Sequence, residues 1–150
     1  MDAIQFLKKE HVTAKAALEG VMEASPAVRG KLWAKLVPEL EAHEHMEDAC
    51  LYAPLSRDAA GNDPKLAGWR QKHQAEVDEV KALIAGIHDL ESESEAWLTK
   101  VKKVHTGLKA HIQEEEADIF PRISGVWDEA RLGEAGTKME EMKNKKAEAA

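Results

Sequence analysis

A chain of 150 residues is one domain by length, and a hydrophobic content of 43% supplies a single sizeable core. The formal charge of -7 argues against a nucleic-acid partner, whose phosphates are bound by clustered Lys and Arg, and against anionic membrane surfaces likewise. Cys50 is the only cysteine, which excludes an internal disulfide and a thiolate zinc cluster, so any metal must be held by His and carboxylate.

Ala, Leu, Glu and Lys dominate and aromatic residues make up 5%, a mixture that predicts an all-α fold. The N-terminal stretch MDAIQFLKKE has no basic segment followed by a long apolar run. No stretch approaches the roughly 18 consecutive apolar residues of a membrane span. The expectation is a soluble, cytoplasmic protein, monomeric or a weak homodimer, whose partner is a small molecule.

A first helix can start from Asp2 as N-cap, with an inward stripe Ile4, Leu7, His11, Ala14, Leu18, Val21 in steps of three and four. Ser25-Pro26 reads as N-cap and first helical position of a second helix, whose stripe is Leu32, Leu36, Leu40, His43, Glu47, Leu51. Pro38 falls inside that helix and predicts a kink. Pro54 to Pro64, PLSRDAAGNDP, is dense in turn formers and is expected to be the longest loop. The third helix carries Leu66, Trp69, His73, Val77, Val80, Ile84 and Ile87. After the polar link ESESE, the fourth carries Trp97, Val101, Val104, Leu108, His111, Glu115 and Ile119, and Pro121 closes it. These helices make an antiparallel up-down-up-down four-helix bundle over residues 1–123. Residues 124–150, rich in Lys and Glu with Trp127 and Leu132 as anchors, are expected to add a short C-terminal helix and a flexible tail.

Polar residues stand in every inward stripe, and two helices carry the same device: His43-x3-Glu47-x3-Leu51-Tyr52 is repeated as His111-x3-Glu115-x3-Ile119-Phe120. Residues four apart share a helix face, so each pair aims an imidazole and a carboxylate inward together. Left unpaired among Leu and Val, such groups would cost several kcal/mol each, whereas a cation satisfies them all. Height agrees: His11 and His73 stand roughly 12 to 14 Å up their helices at 1.5 Å per residue, and both His-Glu pairs lie roughly 12 Å above the same end. The six groups fall in one layer. A set of His and carboxylate suits iron, manganese or zinc, and two candidate bridging carboxylates favour a dinuclear site.

The pattern His11, His43-x3-Glu47, His73, His111-x3-Glu115, with Leu51-Tyr52 and Phe120-Pro121 following, resembles the hemerythrin-like (HHE cation-binding) family over residues 2 to about 123. The resemblance implies two iron ions with an oxo or hydroxo bridge, bridged by Glu47 and Glu115, with the four histidines terminal. Oxygen-carrying members have a second His four residues after the third-helix ligand, and Val77 stands there in this chain. Their fourth-helix carboxylate is an Asp five residues after its His, whereas Glu115 comes four after His111. The chain therefore resembles the four-His, two-Glu branch, in which an extra coordination position is open to solvent, peroxide or nitric oxide. Glu44, beside His43, is a candidate additional ligand. Tyr52, one turn from Glu47, is placed to pack its ring inward or to donate its hydroxyl to a bridging or bound oxygen species.

Of the remaining candidates, His45 and His88 read as solvated, and His105 as flanking the seam. Cys50 reads as a small hydrophobe, Glu114 and Glu116 as surface charges, and the four tryptophans as core plugs. Two functional classes follow from the resemblance. One is a di-iron oxidoreductase reacting with hydrogen peroxide, in a catalase- or peroxidase-like reaction, or with nitric oxide. The other is a module that binds dioxygen reversibly, or senses iron or oxygen, without turnover.

Overall fold

The structure, a computed structural model, describes residues 1–59 and 62–149. The described residues form helices α1 (Ala3–Glu23), α2 (Pro26–Glu47), α3 (Ala53–Asp58), α4 (Pro64–His88), α5 (Glu95–Glu114), α6 (Phe120–Ile123) and α7 (Glu129–Ala149). Two π-helical turns, Asp48–Tyr52 and Glu115–Ile119, lie between α2 and α3 and between α5 and α6. There is no strand among the described residues, and no helix of them is long and apolar enough to cross a membrane.

Helix starts follow local chemistry. Asp2 accepts from the Gln5 backbone N–H at 2.9 Å while the Gln5 side chain accepts from the Asp2 N–H at 3.1 Å, a reciprocal cap that satisfies two orphan donors. Pro26 and Pro64 open α2 and α4, where a missing N–H costs nothing. Ser94 caps α5 through the Trp97 N–H. Short turns join α1 to α2 and α4 to α5, so α1, α2, α4 and α5 make the four-helix bundle, with α1 packed on α2 and α5, and α5 on α4.

The apolar interior is in two pieces. Toward one end Leu18, Val21, Leu36, Ile84, Ile87 and Val101 pack around Trp33 and Trp97, whose rings meet edge to face at 6.0 Å. Toward the other, Phe6, Leu7, Leu51, Leu55, Trp69, Ile119 and Phe120 pack with Trp127, Ala135 and Met139 of the C-terminal segment. Between them lies a layer of buried His11, Glu47, His73 and Glu115, each at most 2% exposed.

Four expectations need correction. Pro54 does not open a loop: the chain stays helical through α3, because a proline in a first helical turn lacks only an N–H that would have no partner, and Leu55 and Ala59 are drawn into the core at 1% and 0% exposure. Residues 60 and 61 of that stretch lie outside the described residues. Pro121 likewise sits in the first turn of α6 rather than closing a helix. Leu32 is 39% exposed, and its place in the α2 stripe is taken by Trp33, shifted one position by the Trp33–Trp97 contact. Last, the C-terminal extension runs 21 residues as α7. Its Gly136 meets the backbone of Met1–Ala3 so closely that a side chain would collide, which fastens the extension to the start of α1.

Candidate metal centre

Each bundle helix contributes one inward imidazole. His11 comes from α1, His43 from α2, His73 from α4 and His111 from α5, with Glu47 and Glu115 one turn after His43 and His111. The two carboxylates sit where the π-helical turns begin. In such a turn the hydrogen bond reaches five residues back, as in Ala53 N–H to Asp48 O and Phe120 N–H to Glu115 O. This widened turn lets Leu51 and Tyr52, and likewise Ile119 and Phe120, all face inward at 0% to 1% exposure. The repeat seen in the sequence is thus a repeated helix defect that places an aromatic ring against a histidine of another helix. Tyr52 lies 4.9 Å from the His73 ring, and Phe120 stacks on His11 at 5.9 Å.

Glu47 is the centre of the arrangement. Its Oε2 lies 3.2 Å from His43 Nε2 and 3.9 Å from His11 Nε2, and its Oε1 lies 2.9 Å from His73 Nε2 and 3.9 Å from His111 Nε2. One oxygen therefore faces each histidine pair. Glu115 Oε1 spans the two, at 2.8 Å from His111 Nε2 and 3.5 Å from His11 Nε2, while its Oε2 accepts a short hydrogen bond from the Tyr52 hydroxyl. Glu44, an added candidate in the sequence, stands 3.1 Å from His73 Nε2. The donor atoms of Glu44, Glu47, His73 and His111 all lie within 4.8 Å of one another, and so do those of His11, His43 and Glu47.

The donor atoms fit a cation. His11 Nε2, His73 Nε2, His111 Nε2, both Glu47 oxygens, Glu115 Oε1 and Glu44 Oε2 are buried without a hydrogen-bond partner, and they converge. Buried polar atoms are otherwise almost always satisfied, so a set of unpartnered atoms converging on one point is a site for a ligand. Without metal, protons supply the positive charge. Burial works to lower every imidazole, but the Glu47 carboxylate outweighs it and raises His43 to about 9. For His73, against the same burial, Glu44 and Glu47 raise the value to about 10, and Glu115 and Glu47 push His111 to about 12. Glu47 itself is held well below the usual carboxylate range, because the four imidazoles overcome its burial. Glu115 goes the other way, to about 7, through burial and the neighbouring Glu47 charge. Burial and the Glu115 and Glu47 charges push the Tyr52 phenol well above its ordinary value.

Two residues were missed in the sequence. Glu116 accepts from His11 Nδ1 at 2.7 Å and Glu76 from His111 Nδ1 at 3.1 Å, which orients each ring with its Nε2 toward the centre. Glu116 is therefore more than the surface charge its sequence context suggested. Each serves a histidine on a different helix, so no spacing within one helix could reveal it. Glu114 pairs with Lys72 at 2.6 Å. His105 lies beside Glu19 at 3.3 Å on the α1–α5 surface, and His45 and His88 are exposed. Cys50 packs its sulfur 3.3 Å from that of Met142 on α7. Trp69 does more than fill the core, since its ring stacks on His111 at 6.2 Å and tilts over His73 at 6.0 Å.

A hemerythrin HHE cation binding domain model matches residues 2–123. No curated protein sequence matches the chain. Among solved structures, the chain is similar to a hemerythrin HHE cation binding domain-containing protein from Mycobacterium kansasii. The two share 28% identity over 99% of this chain and 90% of that one, with a TM-score of 0.78. With four helices, a buried His and Glu layer and that match over residues 2–123, the chain belongs to the hemerythrin HHE cation-binding family.

Proposed function

We propose that this protein is a non-haem di-iron protein whose centre reacts with a small oxygen or nitrogen species, hydrogen peroxide first and nitric oxide second. The observation that carries the reading is Glu47: buried at 0% exposure, it turns one oxygen to each of two histidine pairs, the geometry of a carboxylate bridging two cations. His11 and His43 would hold one ion and His73 and His111 the other, with Glu115 as second bridge and Glu44 as additional donor on the His73 side. When bound, the iron pair would supply two-electron redox chemistry at one place.

The protein's own groups support peroxide chemistry around it. Disproportionation needs no outside reductant: one peroxide gives up two electrons and two protons to become dioxygen, and a second takes them to become two waters. The Tyr52 hydroxyl, which donates to Glu115, is placed to hydrogen-bond and orient an oxygen species held in the layer, and the Glu44 carboxylate stands 3.1 Å from His73 Nε2. Rapid mixing of the iron-loaded protein with peroxide, dioxygen and nitric oxide tests the reading. Dioxygen evolution from peroxide is the expected result. A stable, reversible dioxygen adduct with no turnover of peroxide or nitric oxide would replace it with a carrier or sensor.

A further inference from the structure

The metal layer is not equally closed on all sides. Between α2, α4 and α5 lies a cavity of about 280 Å³ that reaches Glu44 and His111. Its walls are apolar, from Leu40, Val77, Val80 and Leu108, and its mouth is set with Glu41, Glu76, Glu79 and Glu114. Val77, one turn beyond His73 on α4, adds a small apolar side chain to the wall that leads to His111. At the floor Glu44 Oε2 is buried against His73 Nε2, while the side chain as a whole remains 23% exposed. Glu44 thus stands between the groove and the donors.

The geometry points to this groove as the route by which an uncharged molecule of peroxide or nitric oxide size reaches the centre, arriving on the His73–His111 side. This assignment rests on the reactive di-iron reading above and names its passenger. Two features select the passenger. Of the four carboxylates at the mouth, Glu76 and Glu114 share Lys72, and Glu41 and Glu79 outnumber Lys81, so the local field stays net negative, repels anions and leaves neutral molecules unaffected. Apolar walls then favour small, weakly hydrated solutes over strongly hydrated ions. The α1–α5 face is the reverse: Lys8, Lys15 and Lys109 surround a basic hollow that would gather anions, and Glu116, bonded to His11, stands in its lining. On the His11–His43 side the Phe120 ring stacks on His11, and the charged Glu116 carboxylate stands between that hollow and the His11 ring.

Gly107 gives the means to test it. It lines the groove, and a Cβ added there meets nothing within 4 Å, so a large side chain can enter the cavity without displacing the backbone. Gly107→Trp should fold and load iron as the parent does, since replacing a mid-helix glycine favours the helix. Two measurements follow. In the metal-free protein, xenon should bind in the parent beside Val77 and His111 and be lost in Gly107→Trp, as apolar cavities of this size take up xenon. In the iron-loaded protein, the second-order rate with peroxide should fall about tenfold or more, with iron per chain unchanged. Thr106→Trp, on the basic face, should alter neither. Charge reversal at the mouth, Glu41→Lys with Glu79→Lys, should speed azide association several-fold and leave peroxide unchanged. A parent that takes no xenon, or a Gly107→Trp variant that excludes xenon yet reacts at the parental rate, overturns the route. A parent that takes xenon but reacts with neither peroxide nor nitric oxide overturns instead the reactive-centre reading from which the passenger was named.

Discussion

The two halves of the metal layer hold two histidines each and share Glu47, yet their surroundings differ. His11 and His43 meet one Glu47 oxygen, with Phe120 stacked over His11 and Glu116 behind it. His73 and His111 meet the other oxygen with a further carboxylate, Glu44, and lie under Trp69 and beside the apolar groove. An internal repeat in α2 and α5 therefore does not produce a symmetric site: Glu47 faces both histidine pairs, and asymmetry comes from what the neighbouring helices add. Removing the shared residue should give the largest effect. Glu47→Ala deletes an oxygen from each half, so iron per chain should fall from two toward none. Glu115→Ala takes away one spanning oxygen and should leave about one ion, held on the His73 side where Glu44 remains. Retention of two irons by both variants, measured by metal analysis with the charge-transfer spectrum, would show that neither carboxylate bridges.

Metal removal comes next, because it strips both halves at once without changing a side chain. At free iron about a thousandfold above its dissociation constant, binding stabilises the native state by about 4 kcal/mol, or roughly 8–16 °C in Tm for a domain of this size. Calorimetry of apo and loaded protein at neutral pH checks this, and equal melting temperatures would contradict the layer argument. The metal-free protein should also be pH-sensitive in a defined direction. His43 and His73, raised from 6.5 to about 9 and about 10, contribute stability fully present below 6.5 and lost as pH rises through those values. Glu115, raised from 4.5 to about 7, loses its contribution over that interval in the same direction. Apo stability should therefore decline from mildly acidic pH toward pH 10, whereas the loaded protein, whose imidazoles are neutral ligands, should decline less. Iron binding at neutral pH should release protons, which titration in buffers of different ionisation enthalpy measures.

Much of this comparison was legible in the sequence, and the parts that were not share a cause. Helical periodicity placed His11, His43, Glu47, His73, His111 and Glu115 in one slab, because four-residue spacing fixes a face and 1.5 Å per residue fixes a height. The Asp2 cap and the helix start at Ser25-Pro26 were readable from local chemistry alone, although the Ser25 side chain makes no capping hydrogen bond. The π-helical turns were not, since nothing in Asp48–Tyr52 or Glu115–Ile119 breaks an α-helical pattern by composition; the reward for widening the turn is tertiary, the burial of Tyr52 and Phe120 beside histidines of other helices. Leu32 and Trp33 exchanged roles for the same reason, through Trp97. Most of α7 reads as solvated, because beyond Leu132 its packing against the bundle is carried by small or flexible residues, Ala135, Gly136, Met139 and Met142.

Glu76 and Glu116 offer the finest test of the asymmetry, for each acts on one half only and neither faces the cation. Each carboxylate accepts from the Nδ1 of its histidine, which fixes the ring and makes the opposite nitrogen more electron-rich. Replacement by Gln keeps a hydrogen-bond acceptor but removes the charge; replacement by Ala removes both. The expected loss is about 10–100-fold in affinity for the ion on that side, which is about 1.4–2.7 kcal/mol. Glu116→Ala should weaken the His11–His43 ion and leave the other unchanged, and Glu76→Ala should do the reverse, with the Gln variants intermediate in each case. Glu76 also stands at the mouth of the groove, so Glu76→Ala should raise azide association while Glu116→Ala does not. Stepwise iron titration followed by absorption separates the two ions. Equal weakening of both ions by either variant would mean that the halves behave as one cooperative unit, and the structural asymmetry would then have no energetic counterpart.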